Sequence, residues 1–247
     1  MAEEFKFDIN SRWISFSEDG KYMRTMWNKG SEYQNALFHE FAEPTQDKPK
    51  EGFIVPNLEL PPLCSPTFRP GPPSDQAQVC SQFLSDVIKS SKCINAEDLV
   101  IKAGKLVWCI YIDLTCLDYD GNVLDASVIA MTAALYNLSL PKVEFIDEEI
   151  KVNPAIKIPI NMRNVPVATT FGIFDKIFLA DPTNEEENLI SERITIVTID
   201  NDILCDIHKP GGTAISEEDL QDCIKRANKH FRNVLDLLKA AKNNDNR

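Results

Sequence analysis

The chain lacks most of what would announce a function. Its start, MAEEFKFD, has no basic residues followed by an apolar run, so no secretory signal is expected. The most apolar stretch is too short and too polar at its edges to span a bilayer, so no membrane partner is expected. Seven cysteines are present, an odd number with no C-x-x-C pair, which reads as reduced, buried thiols of a cytosolic or nuclear protein. No Gly-rich phosphate loop, H-E-x-x-H or G-x-S-x-G occurs. His39, His208 and His230 lie far apart, with no nucleophile in register. Basic residues are outnumbered, 26 to 38, and the net charge of -12 argues against a chain that grips nucleic acid unaided. That balance still allows a local basic strip, or a place in an assembly whose other members are basic. No internal repeat, low-complexity tract or clear linker interrupts the chain.

What is present centres on Lys105 to Pro141. Leu106, Trp108, Ile110, Ile112, Leu114 and Cys116 alternate with a mixed second set, the pattern of a central strand covered on both faces. Asp120-Gly121-Asn122 then turns the chain, with Gly121 free to take positive φ. Asn122 is expected to cap a helix and Asp125 to answer it three residues on. That helix is apolar nearly all round, from Leu124 to Leu135, and therefore buried.

Around this centre the other elements can be placed. Trp13–Phe16 and Tyr22–Met26 flank an Asp-Gly turn and read as a hairpin. Ser31–Leu37 reads as helix or loop. Phe41–Pro73 is too rich in proline for a helix, with a short strand at Phe53–Leu60. Ser74 caps a helix carrying Cys80, Phe83, Leu84, Val87 and Ile88 on one side. Lys142–Ile146 reads as a strand, Asp147–Pro159 as irregular. Strand pairs follow at Val165–Ala180 and Ile194–Ile207, separated by a polar loop, Asp181–Glu192. Ser216 and Asp219 open a last amphipathic helix. Strands in groups, each leading to a long helix, give an α+β fold. The acidic group Asp181, Glu185, Glu186, Glu187 and Glu192 reads as a solvated loop rather than a divalent-cation site. No metal or cofactor is expected.

Several stretches together resemble one family. They include LPPLCS, FRPGPP, LDYDGN, ADPTNEEE and HKPGG, within a likeness covering Glu40 to about Ala240. They resemble the RNase-PH-like ring subunits of the eukaryotic RNA exosome. The resemblance implies a ribosomal-protein-S5-domain-2-like α+β fold, with an atypical segment at 1–40, an RNase-PH-like domain at 41–242 and a frayed tail at 243–247. It implies as partners other RNase-PH-like ring subunits, RNA-binding cap subunits and RNA threaded through the ring. It implies a location in nucleus, nucleolus and cytoplasm. Active members are phosphorolytic 3′–5′ exoribonucleases, which need cationic groups around an attacking phosphate.

The sequence departs from the active pattern at each matched point. The Gly-Ser-Arg-like phosphate loop falls on Asn122-Val123-Leu124, which supplies neither hydroxyl nor guanidinium from its last two positions. An acidic residue of active members falls on Arg193, while Asp181 does match. No catalytic, phosphate-binding or metal-binding residue is therefore assigned, and the chain reads as non-catalytic. Arg69, in the proline-rich connector, is the one candidate contact to RNA in the channel. The family's apolar strand before the E-F-A stretch is replaced by SEYQNAL, so an unpaired sheet edge is expected there. Two other readings stay open: a variant chain that fails to assemble, and an active phosphorolytic nuclease.

Overall fold

The structure, a computed structural model, describes residues 13–16, 22–27, 31–146 and 149–245. Its first sheet is built around β6 (Leu106–Asp118), with β3 (Ser31–Ala42) antiparallel on one side and β4 (Phe53–Glu59) parallel on the other. β2 (Tyr22–Trp27) pairs with β3, and β1 (Trp13–Phe16) pairs with β2. The short β5 (Val100–Lys102) also pairs with β6. β6 is thus the central strand its alternation predicts. From Leu106 to Ile110 every residue is buried, and beyond that the even-numbered side stays buried to Cys116.

A second, antiparallel sheet runs β10 (Ile177–Ala180), β9 (Val167–Phe174), β11 (Glu192–Ile199), β12 (Ile203–His208). Between the two sheets lies α2 (Val123–Tyr136), against β9 and β3, with every residue from Val123 to Leu135 buried. A helix packed on both sides has no polar face to keep, which accounts for its uniform composition. α1 (Asp75–Ser91) packs on β4 and α2, and its cap is the expected one: Ser74 Oγ accepts from Ala77 N at 3.2 Å. α4 (Glu217–Asp245) covers β11 and β9. Its start is also as expected, with Ser216 Oγ accepting from Asp219 N at 3.1 Å. No helix among the described residues is long and apolar enough to cross a membrane.

Several segments differ from expectation. Ser31–Leu37 is neither helix nor loop. It is the first half of β3, paired to β2 on one side and β6 on the other, so no strand edge is left open there. β3 also runs straight through residue 40, where the atypical segment was expected to end. The expected turn Ser17–Gly20 lies outside the described residues, while β1 and β2 around it pair antiparallel with Phe16 opposite Met23. Within Asp147–Pro159 the described residues are not irregular: β8 (Glu149–Pro159) pairs with β7 (Ser139–Ile146) as a two-stranded ribbon. Pro154 and Pro159 disguised it, and both are tolerable because β8 is an edge strand. Within Asp181–Glu192, one helical turn forms, α3 (Asn184–Glu187). At the end of the chain α4 continues through Asn243 and Asn244 to Asp245.

Candidate functional site

β6 ends at Asp118, and the chain must reverse within four residues to enter α2. Gly121 makes this possible with φ of +84°. It must also be glycine for space, since a Cβ there would lie 2.6 Å from Asn184 N. The close approach is fixed by a hydrogen bond in which Asn184 N donates to Asp120 O at 3.1 Å. The segment 182–187 is therefore held against the start of α2.

Asn122 does not cap α2 as expected. It takes a left-handed conformation, φ 45° and ψ 48°, and makes no side-chain bond to the helix backbone. Its amide instead joins two acids: Nδ2 donates to Asp125 Oδ2 at 2.9 Å and to Asp181 Oδ1 at 2.6 Å. Asp125 does not answer a cap either. It is buried and accepts from Thr170 N and Thr170 Oγ1, each at 2.7 Å, tying α2 to β9. Thr170 Oγ1 gives its hydrogen to Asp125, so in its 2.8 Å contact with Thr195 Oγ1 it is Thr195 that donates. Burial pushes the Asp125 carboxyl up to about 7. The bonds from Thr170 and Asn122 hold it down against that, and the Asp181 charge adds to the rise.

Beside this clamp sits Glu187, the last residue of α3. Its Oε1 accepts from Asn122 N at 3.0 Å, and its Oε2 accepts from the Tyr119 hydroxyl at 3.3 Å. Arg193 Nη1 stands 4.0 Å from Oε1. Gln76 Nε2 donates to the Tyr119 oxygen at 3.3 Å, which directs the phenol hydrogen to Glu187. Burial, then the Glu187 charge, pushes Tyr119 up to about 12, so it stays a donor at any ordinary pH. Cys80 lies in the same electrostatic environment as Glu187 and Arg193. Burial pushes its thiol up to about 12, which leaves it unreactive. Val123 and Leu124, the two positions of interest in the turn, are buried in the hydrophobic core.

The structure thus gathers Asn122, Asp181 and Arg193 around the α2 start, and keeps other candidates apart. The acidic group does not converge. Glu186 closes the α3 capping box with Thr183, while Glu192 accepts from Thr213 Oγ1 at 2.8 Å and pairs with Lys209 at 3.6 Å. His39 packs edge-on to Trp108, His208 lies against Phe83, and His230 is a buried residue of α4. Arg69 is exposed in the connector, next to Phe68, which packs edge-on to Tyr119 with centroids 5.1 Å apart. Sequence reasoning missed Tyr119, Gln76, Thr170, Thr195 and the engagement of Glu187. One signal was available: Thr183-Asn184-Glu185-Glu186 is a capping box, which fixes a helical turn and so the direction of the next side chain.

Comparison with known proteins decides the family. Residues 38–141 match domain 1 of the 3′ exoribonuclease (RNase PH) family, and residues 164–230 match its domain 2. A fission-yeast protein, exosome complex component rrp43 of Schizosaccharomyces pombe, is 41% identical over 194 residues, covering 78% of this chain and 72% of its own. The chain belongs to the RNase PH family. Exosome complex component Rrp42 of Pyrococcus furiosus is 34% identical over 209 residues, covering 82% of this chain and 75% of its own. Among solved structures, an Archaeoglobus fulgidus exosome with RNA bound to the active site superposes with a TM-score of 0.77. Its identity is 30%, over 90% of this chain and 86% of that one. The RNase PH fold was therefore legible from the motifs. The two matched segments hold the two halves of the site: Tyr119, Asn122 and Asp125 in the first, Thr170, Asp181, Glu187 and Arg193 in the second.

Proposed function

We propose that this chain is a structural, non-catalytic ring subunit of an RNA exosome, supporting 3′–5′ processing and degradation of RNA by the complex. One observation carries the reading. Where the family resemblance puts the Ser and Arg of the phosphate loop, this chain has Val123 and Leu124, and both side chains are buried in the core. Phosphorolysis needs donors aimed at an attacking phosphate and at the charge developing on the transferred phosphoryl group. An apolar pair facing inward supplies none. Arg193 stands where active members carry an acid, and its nearest charged partner is Glu187. Asp181, the matching acid, bonds to the Asn122 amide.

The partners in this reading are RNase-PH-like ring subunits, RNA-binding caps and RNA passing through the ring; the location is nucleus, nucleolus and cytoplasm. The motif set supports exosome complex component eight as its counterpart among ring subunits. Full chain incubated with inorganic phosphate and single-stranded RNA should release no nucleoside diphosphate. Phosphate-dependent shortening of the RNA that Asp181→Ala abolishes would overturn the reading.

Arg69 is proposed to meet RNA phosphates in the channel. Support comes from its exposure and from the anchoring of its connector on Tyr119 through Phe68. Arg69→Glu in a reconstituted ring should weaken crosslinking of RNA to this subunit. Unchanged crosslinking and protection would remove the proposal.

A further inference from the structure

We propose that the Glu187 carboxylate is a resident anion, filling an oxyanion-binding position built by Asn122 N–H, the Tyr119 hydroxyl and the Arg193 guanidinium. The inference rests on the non-catalytic reading and deepens it, by naming what occupies the place where an attacking anion would stand.

The donors come from the 119–122 turn and from β11, and meet on one group. Asn122 N lies at the entry to a 14-residue buried helix, where aligned peptide dipoles favour negative charge. It donates to Oε1 at 3.0 Å. Tyr119, the first residue after β6, donates to Oε2 at 3.3 Å, with its hydrogen steered there by Gln76 of α1. Arg193, from β11, brings a full positive charge to 4.0 Å from Oε1. A backbone amide, a hydroxyl and a guanidinium around two oxygens are the donor types that recognise phosphate or sulfate. Two other carboxylates, Asp125 and Asp181, are bonded by the Asn122 side chain, not by its N–H.

Glu187 is delivered to this position rather than drifting into it. The capping box fixes α3, with Thr183 N donating to Glu186 Oε2 at 2.7 Å and Glu186 N donating to Thr183 Oγ1 at 3.3 Å. Asn184 N bonds Asp120 O, and Gly121 lets the two segments touch. The carboxylate is consequently held at high effective concentration, and an outside anion must displace a tethered one. The side chain keeps only 19% of its exposure, so little water competes for its bonds.

The test replaces the tethered anion and offers a free one. Thermal melting of the full chain is followed in sodium phosphate and in sodium chloride of equal ionic strength. The co-expressed ring complex is used if the chain alone does not stay soluble, with the wild-type complex as reference. The wild type should show no phosphate-specific rise in Tm. Glu187→Ala should show a saturable rise of about 3 °C or more at phosphate well above its dissociation constant. Glu187→Gln, which keeps the shape but not the charge, should show a smaller rise. The gain should vanish in Glu187→Ala with Arg193→Ala. If Glu187→Ala fails to fold, phosphate during refolding should rescue it. Folded variants that respond equally to both salts, or an unfolded Glu187→Ala that phosphate cannot rescue, overturn the proposal. None of these readouts involves RNA. Phosphate binding without nucleoside diphosphate release supports both readings, and absent binding removes this one alone.

Discussion

Asp125 shows how much a single residue can be asked to do. It is buried, accepts two bonds from Thr170 and one from Asn122, and joins α2 to the second sheet. Three donors favour the charged form, and burial opposes it more strongly, lifting the carboxyl from 3.8 to about 7. A raised acid pKa means the folded state holds its proton longer than the unfolded chain does. The associated stability is complete below the unfolded value and is lost as pH rises through about 7. Asp125→Asn cannot ionise, and it keeps one acceptor oxygen and one donor group, as the protonated acid does. At pH 5 its stability should lie close to that of the wild type. Between pH 5 and 8 the wild type should lose stability at up to about 1.4 kcal/mol per pH unit relative to the variant, so the variant becomes the more stable protein. Denaturant unfolding of both proteins across that range measures it. Parallel pH profiles would show that Asp125 is already charged in the fold.

At the scale of elements, legibility followed locality. α1, α2 and α4 carry their reasons within their own sequence: a capping Ser74, a buried apolar run, a capping Ser216. So does β6, by alternation. β3 does not. Ser31-Glu32-Tyr33-Gln34-Asn35 has no alternation to read, and it is a strand because β6, far along the chain, offers a ladder from Asp118 to Val107. Its start was read as a lost strand for the same reason. β8 was hidden by Pro154 and Pro159, although Ile150, Val152, Ile156 and Ile158 mark its apolar positions. The site divided in the same way. Motifs placed Asp181, Arg193 and the 122–124 turn in one neighbourhood. The bonds that define their roles depend on a loop arriving from 65 residues away, as Glu187 N-terminal to β11 reaches Asn122. Side-chain direction at such a crossing is set by packing, as at Gly121, and not by spacing.

For the whole molecule, the question is what covers its outer apolar surface. The ribbon of β7 and β8 pairs Val143 with Val152 and Phe145 with Ile150 on one face, and Glu144 with Lys151 on the other. A two-stranded ribbon is marginal in water by itself. Here Ile150, Val152, Ile156 and Ile158 remain 42–50% exposed along a strand with no described residue buried. The sheet edge once expected near residue 31 is paired, so the case for assembly rests on this ribbon instead. A ring subunit would cover such a face with a neighbour, and stable interfaces of that type bury on the order of 2,000 Å² or more. The isolated chain should therefore self-associate or stay poorly soluble despite its charge of -12. Co-expression with a correct RNase-PH-like neighbour should make it soluble and raise its Tm, because a partner that binds only the folded state stabilises it. Sedimentation and melting with and without the neighbour test this. A clean monomer whose Tm no ring subunit changes would rule it out. Binding that appears only when the residues before Phe41 are exchanged for an ordinary family start would place the obstacle in that segment, and would favour a chain kept out of the ring.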